Sequence, residues 1–270
     1  MSLSDYFLLF LIYSFIGWIW ETLYCSLNTA HFVNRGFLYG PLCPIYGFGG
    51  LLIMYLLHPL AETWWQLFLA AAIGCSVLEY FTSWLLEAVF HTRWWDYSRR
   101  RFNLHGRIFL GGALCFGLMG TLAEHFVQPF LTRVLTGFPE TSTRMLATVL
   151  LLVLILDLLA TLGRLVQFTQ QMNQLRAFLG KLRQRFGSQH WFVGHAHSVE
   201  EAFHAVRSQV SAGRLRVEQA LLDEMELLTK KQRSMAGLAR KFPSMMSLRF
   251  KAGVENLHQH LHRQQPEKVS

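Results

Sequence analysis

Two apolar runs, each long enough to cross a bilayer, flank the stretch Asn34-Arg35-Gly36-Phe37-Leu38-Tyr39-Gly40-Pro41-Leu42-Cys43-Pro44-Ile45-Tyr46-Gly47. It holds one fixed positive charge, three glycines and two prolines. Proline removes a backbone donor and glycine weakens a helix, so no continuous helix is expected here. In lipid, irregular backbone survives only where protein or a water-filled cavity satisfies its polar groups. The stretch therefore predicts a built cavity inside a membrane protein rather than a simple anchor.

Five hydrophobic segments reach the roughly 17–25 residues that a membrane span needs. They lie near 5–27, 38–57, 64–90, 106–128 and 145–166. The expected fold is thus an all-α integral membrane domain over 1–166, broken after its first helix, with a helical tail over 167–270. The first segment has no basic residue ahead of it and is too long for a signal peptide, so it is expected to be retained. Pro59 and Pro139-Glu140-Thr141-Ser142-Thr143 mark turns.

Charge divides the chain at the same place. Through Val166 there are nine Lys or Arg and nine Asp or Glu, whereas from Gln167 onward there are sixteen basic and eight acidic residues. The whole net charge of +8 therefore sits in the tail. The loop over 91–107 carries Arg93, Arg99, Arg100, Arg101 and Arg107, against none in 58–63. By the positive-inside rule, that loop, the Arg35 region and the tail face the cytoplasm, in the plasma membrane (an inner membrane) of a prokaryote.

Ionisable groups inside apolar spans are costly, about 2.5–3.5 kcal/mol each at the bilayer centre, so they are expected to be paired or used. Glu21 shares a small, polar helix face with Ser14 and Gly17. Ser76, Glu79, Ser83 and Glu87 make a second polar stripe, and Asp157, Thr161 and Arg164 a third. Glu124 and His125 read as interfacial. At the inner face the topology gathers Asn34, Arg35, Glu87, Asp96, Asn103 and Arg107. Such a group either closes into an ion-pair network or binds a polar ligand, since arginine suits carboxylate and phosphate.

Gly17-Trp18-x-x-Glu21, the Asn34–Gly47 stretch, Glu79, Glu87, Trp95-Asp96-Tyr97-Ser98 and Asn103-x-x-Gly106-Arg107-Ile108 together resemble the type IV ABC-transporter membrane family, also called CmpB-like. The resemblance covers about residues 5 to 130 and extends towards the fifth span. It implies an integral membrane protein of permease type. Glu21, Asn34, Arg35, Glu79, Glu87, Asp96, Asn103 and Arg107 are then the residues expected to line or gate a polar cavity open to the inside.

No G-x-x-x-x-G-K-[ST] phosphate loop is present, so ATP-driven transport would need a separate ATPase subunit. Five spans are few for a complete pathway, so a homodimer or partner permease is expected. Ala113-x-x-x-Gly117-x-x-x-Thr121 offers a small-residue stripe for close helix packing. The alternative is a membrane-embedded enzyme or binding protein handling a lipid or lipid-linked substrate at the inner leaflet. No nucleophile elbow, H-E-x-x-H or Cys–His set supports catalysis, so no catalytic residue is assigned.

The four cysteines form no C-x-x-C pair, and among His195, His197, His258, His260 and His262 only the pair His258 and His262 shares a helix face. No metal or cofactor is expected. The tail's Leu175, Phe178, Leu179 and Leu182, set against Arg176, Lys181, Arg183 and Arg185, form a basic amphipathic pattern suited to an anionic leaflet. Ser198-Val199-Glu200-Glu201 reads as a capping box. Leu215, Leu221, Leu222, Met225 and Leu228 form an apolar stripe without heptads. Aromatics are nearly absent after Phe203, which argues against nucleic-acid binding.

Overall fold

The computed structural model describes residues 1–29, 32, 34, 36–90, 93–193 and 199–234. Arg35, His195, His197, His258, His260, His262 and Ser198 of the expected capping box lie outside the described residues. The chain forms two compact units, Met1–Arg164 and Leu165–Ser270.

The first unit is built from helices that begin and end where the backbone chemistry dictates. Helix α1 (Leu3–Thr29) starts with a reciprocal cap. The Ser2 backbone N–H donates to Asp5 Oδ2 at 2.7 Å, and the Asp5 N–H donates to Ser2 Oγ at 3.3 Å. Helix α2 (Pro44–Leu52) opens on a proline, where the missing N–H costs nothing. It runs on through a π-helical turn (Ile53–Leu57) and a 3₁₀ turn (His58–Leu60). Helix α3 (Trp64–Phe90) leads to a short hairpin, in which β1 (Asn103–Leu104) pairs antiparallel with β2 (Ile108–Phe109). Helix α4 (Leu110–Leu122), a second π-helical turn (Ala123–Val127) and α5 (Gln128–Thr136) form one continuous apolar span. Helix α6 (Glu140–Phe186) is 47 residues long.

Both π turns end two residues before a proline, Pro59 and Pro129. A proline ring clashes with the carbonyl four residues earlier, and widening the preceding turn relieves that clash.

Among the described residues four helical stretches are long and apolar enough to cross a membrane: Leu3–Leu27, Trp64–Phe90, Leu110–Thr136 and Glu140–Phe186. The segment expected over 38–57 differs. Its helical part, Pro44–Leu60, is shorter than those four, because residues 37–43 are non-helical. The 106–128 segment also starts later than expected, since Ile108 and Phe109 belong to the hairpin.

Outward-facing side chains are largely apolar: Ile73, Val77, Leu118, Phe126, Val149, Leu156 and Leu159 are all exposed. Lipid is the solvent such a surface fits, so the chain is an all-α integral membrane protein.

Inside the bundle, glycines let backbones meet. A Cβ on Gly17 would strike the Tyr46 ring, and one on Gly50 would fall 2.5 Å from the Tyr13 ring. A Cβ on Gly47 would strike Ser14 Oγ and the Phe10 backbone, so α1 and α2 pack almost backbone to backbone. The small-residue stripe of α4 is used within the same chain. Gly117 faces the Phe68 carbonyl of α3, and Gly120 faces Ala71 and Ile53.

The second unit holds the end of α6, α7 (His190–Val193), α8 (Val199–Ser211) and α9 (Gln219–Ser234). The basic amphipathic face expected to meet a leaflet is already covered. Leu175, Phe178, Leu182 and Phe186 are buried, with Phe178 edge-to-face on Phe203 at 5.7 Å and Lys181 paired to Glu224 at 3.2 Å. Met225 and Leu228 of the apolar stripe are buried too. The tail's apolar residues make a small core of their own rather than a membrane-binding face.

Candidate functional site

The non-helical segment over 36–43 is satisfied by long-range partners. Asn34 Oδ1 accepts from the Trp18 indole N–H at 2.8 Å and from the Gly36 N–H at 3.0 Å. The Cys43 N–H donates to the Ser14 carbonyl of α1 at 3.0 Å. Asp157 of α6 takes two amides at once, from Tyr39 and Gly40, each at 2.8 Å. Thr161 Oγ1 also donates to Asp157 at 3.2 Å, and Arg164 lies 4.7 Å over the Tyr39 ring. The expected Asp157–Thr161–Arg164 face therefore exists, and it serves as a clamp on broken backbone.

Next to this segment two glutamates from different helices come together. The Tyr46 hydroxyl, on α2, donates to Glu21 at 2.9 Å. The Tyr97 hydroxyl, at the hairpin, reaches Glu79 of α3 at 3.4 Å. Glu21 and Glu79 are close enough to interact electrostatically, as are the two tyrosines. Glu79 and its stripe neighbours Ser76 and Ser83 are buried.

One turn beyond Ser83 the same face carries Glu87. Its carboxylate is held by Arg107 at 2.7 Å and by Arg93 at 3.0 Å. Arg107 also donates to Ser83 Oγ at 3.3 Å and lies 5.5 Å over the Tyr80 ring. This is a closed ion-pair network, one of the two arrangements the residue types allowed.

Asp96 and Asn103 shape the hairpin. Asp96 Oδ1 accepts from the Ser98 N–H at 3.0 Å and from the Ser98 hydroxyl. Slight burial pushes the Asp96 carboxyl up, but Ser98 together with Arg93 and Arg99 outweighs it and holds the group below the usual carboxylate range. Asn103 donates to the Arg100 carbonyl at 2.8 Å and the Ser98 carbonyl at 3.3 Å, and accepts from the Gly106 N–H at 2.9 Å. Phe102, His105 and Gly106 take left-handed backbone, which these bonds hold in place. Asn103→Ala removes all three bonds. Trypsin is expected to cut at Arg99–Arg101 roughly tenfold faster, a local loosening of about 1.4 kcal/mol. Unchanged cleavage would show that the hairpin does not depend on Asn103.

Of the eight residues expected to line a site, the structure therefore places Glu87 and Arg107 near one end of the bundle, with Glu21 and Glu79 about two to three turns further in. Asn34, Asp96 and Asn103 brace the backbone around them. Tyr46 and Tyr97, which hold the two inner glutamates, lie within the motif stretches but carry no charge to flag them.

A second polar cluster occupies the opposite end. Glu124, expected at the interface, is buried, and its carboxylate lies 2.6 Å from His58 Nδ1. His125 stacks on Trp64 at 4.1 Å. Tyr13 donates to Gln128 at 2.8 Å, and Gln128 in turn reaches Thr132 at 3.1 Å. The His58 partner of Glu124 comes from the turn that ends the α2 segment, so no hydropathy pattern of the span that holds Glu124 shows the pairing.

Comparison with known proteins adds one match. A family model described as "Putative ABC-transporter type IV" aligns with residues 8–162, which include both polar clusters and the Asp157 clamp. No curated protein and no solved structure matches the chain. A match over more than half the chain, on the segment that holds the broken helix and its buried glutamates, makes this protein a member of the type IV ABC-transporter family.

Proposed function

We propose that the chain is the membrane permease component of a transporter, with the Glu21–Tyr46 and Glu79–Tyr97 pairs lining its polar path. The observation that carries this reading is that two carboxylates on separate spans, Glu21 and the buried Glu79, are each hydrogen-bonded by a tyrosine from outside those spans. Buried carboxylates in a membrane mark a pathway more often than an anchor, because their burial has to be compensated. Tyr97 lies in the loop before the hairpin and its N–H donates to the Gly106 carbonyl at 2.8 Å, so a partner that moves the hairpin also changes the surroundings of Glu79. With no phosphate loop in the chain, that partner is a separate ATPase subunit at the cytoplasmic face, where the arginine-rich hairpin and the tail lie in this reading. The membrane is the plasma membrane of a prokaryote.

Isolation of the tagged chain from its host membranes in mild detergent is expected to recover an ATPase subunit in stoichiometric amount. Glu79→Gln is expected to lower nucleotide turnover of that complex roughly tenfold at unchanged thermal stability, a coupling of ordinary size. Recovery without any ATPase, together with conversion of a lipid-linked substrate by the chain alone, would replace the permease by the lipid-handling enzyme.

A further inference from the structure

A groove of about 960 Å³ runs along the bundle surface between α3, the start of α4 and the hairpin. Its lining is almost wholly apolar; Ser76, Tyr80 and Phe102 border it, while Glu21, Tyr46, Glu79, Glu87, Tyr97 and Arg107 do not. Val77, Phe81 and Trp84 form one wall, and Leu110 and Leu114 face them. The groove ends near Phe68, where α4 closes on α3 through Gly117.

Its other end is different. Phe102 and Leu104 of the hairpin border it, and Phe102 is 80% exposed on left-handed backbone that a bulky residue rarely adopts. Two of the aromatic rings that line the groove are capped by arginine. The Arg100 guanidinium lies 5.8 Å over Phe109, and that of Arg107 lies 5.5 Å over Tyr80. Arg107 is committed to Glu87, whereas Arg100 is exposed and flanked by Arg99 and Arg101. The groove is thus an acyl-shaped trough on a lipid-facing surface with cations at one mouth.

We propose that this groove is a binding site for an anionic glycerophospholipid drawn from the surrounding leaflet. One acyl chain lies along α3 between Trp84 and Leu69, and the phosphate rests at the hairpin on Arg100. Charge complementarity selects this occupant. A second copy of the chain would bring its own arginine hairpin towards this mouth only against repulsion, while a lipid phosphate neutralises it. The inference does not depend on the permease reading, since it concerns a separate surface and is read out by lipid retention alone.

The test is native mass spectrometry of the full chain released from mild detergent, titrated with dioleoyl phosphatidylglycerol or dioleoyl phosphatidylcholine. Wild-type protein is expected to retain phosphatidylglycerol about fivefold more tightly. Arg100→Ala is expected to lose about that factor for phosphatidylglycerol and to leave phosphatidylcholine unchanged, the effect of one cation near an anionic headgroup. Ala113→Trp, which fills the groove, is expected to weaken both lipids. Should that variant misfold, a photoactivatable phosphatidylglycerol crosslinked to Val77 or Phe81 in wild-type protein replaces it. Equal retention of both lipids by wild type and Arg100→Ala would overturn the proposal and leave ordinary annular lipid. Crosslinking of Val77→Cys chains to one another would overturn it in favour of a dimer contact.

Discussion

Asp157→Ala is expected to lower the stability of the membrane unit by about 3 kcal/mol, the loss of two charge-assisted hydrogen bonds to backbone amides. The Tyr39 and Gly40 amides have this carboxylate as their partner, and irregular backbone beside apolar spans is costly to leave without it. Asp157→Asn keeps the size but presents a single carbonyl oxygen, so it should hold one amide and lose about half as much. Heating in detergent followed by size-exclusion chromatography measures both. If Asp157→Ala survives the same temperature as wild type, the clamp is dispensable and the broken segment finds its partners elsewhere.

Gly47→Ala is expected to cost a similar amount, about 3 kcal/mol, at the upper end for overpacking. The added methyl would overlap Ser14 Oγ and lie 2.6 Å from the Phe10 carbonyl oxygen, which is helix backbone and has little freedom to retreat. Relief requires α1 and α2 to separate, and separation pulls Tyr46 from Glu21. Gly180→Ala provides the contrast. Nothing lies within 4 Å of its Cβ position, so the helix should gain up to about 1 kcal/mol. A Gly47→Ala protein as heat-stable as Gly180→Ala would mean that the two helices pack less closely than described.

What could be read from the chain follows from which interactions are local. Hydropathy finds the four long spans because each satisfies its own backbone and differs from its neighbours only in side-chain polarity. Glycine and proline mark the break at 34–47 for the same local reason. The partners of the break are not local. Asp157 lies more than a hundred residues away, and one carboxylate on an apolar helix has the same appearance whether it carries cargo, joins helices or caps amides.

Apolar composition also counted 38–57 as a full span, because Leu38 and Leu42 are as hydrophobic as helix residues although Asp157 and the Ser14 carbonyl bond the backbone beside them. Asp96 and Asn103 mislead in the opposite sense. Acid and amide groups suit a ligand, yet here both are used up by the hairpin's own Ser98 and Gly106. Glu124 was hidden because its partner His58 lies 66 residues away on another element.

The Asp157 clamp also sets an order of events during synthesis. The chain emerges from its N-terminus at about 5–20 residues per second, so Gly40 precedes its carboxylate by roughly 6–24 seconds. Throughout that interval the Tyr39 and Gly40 amides lack the Asp157 carboxylate that accepts from them in the finished fold. Helices α1, α3 and α4 are all made before that acceptor is. Arrival of α6 supplies the missing acceptor and lets the segment seat, so the last span to be made completes the region between the first two.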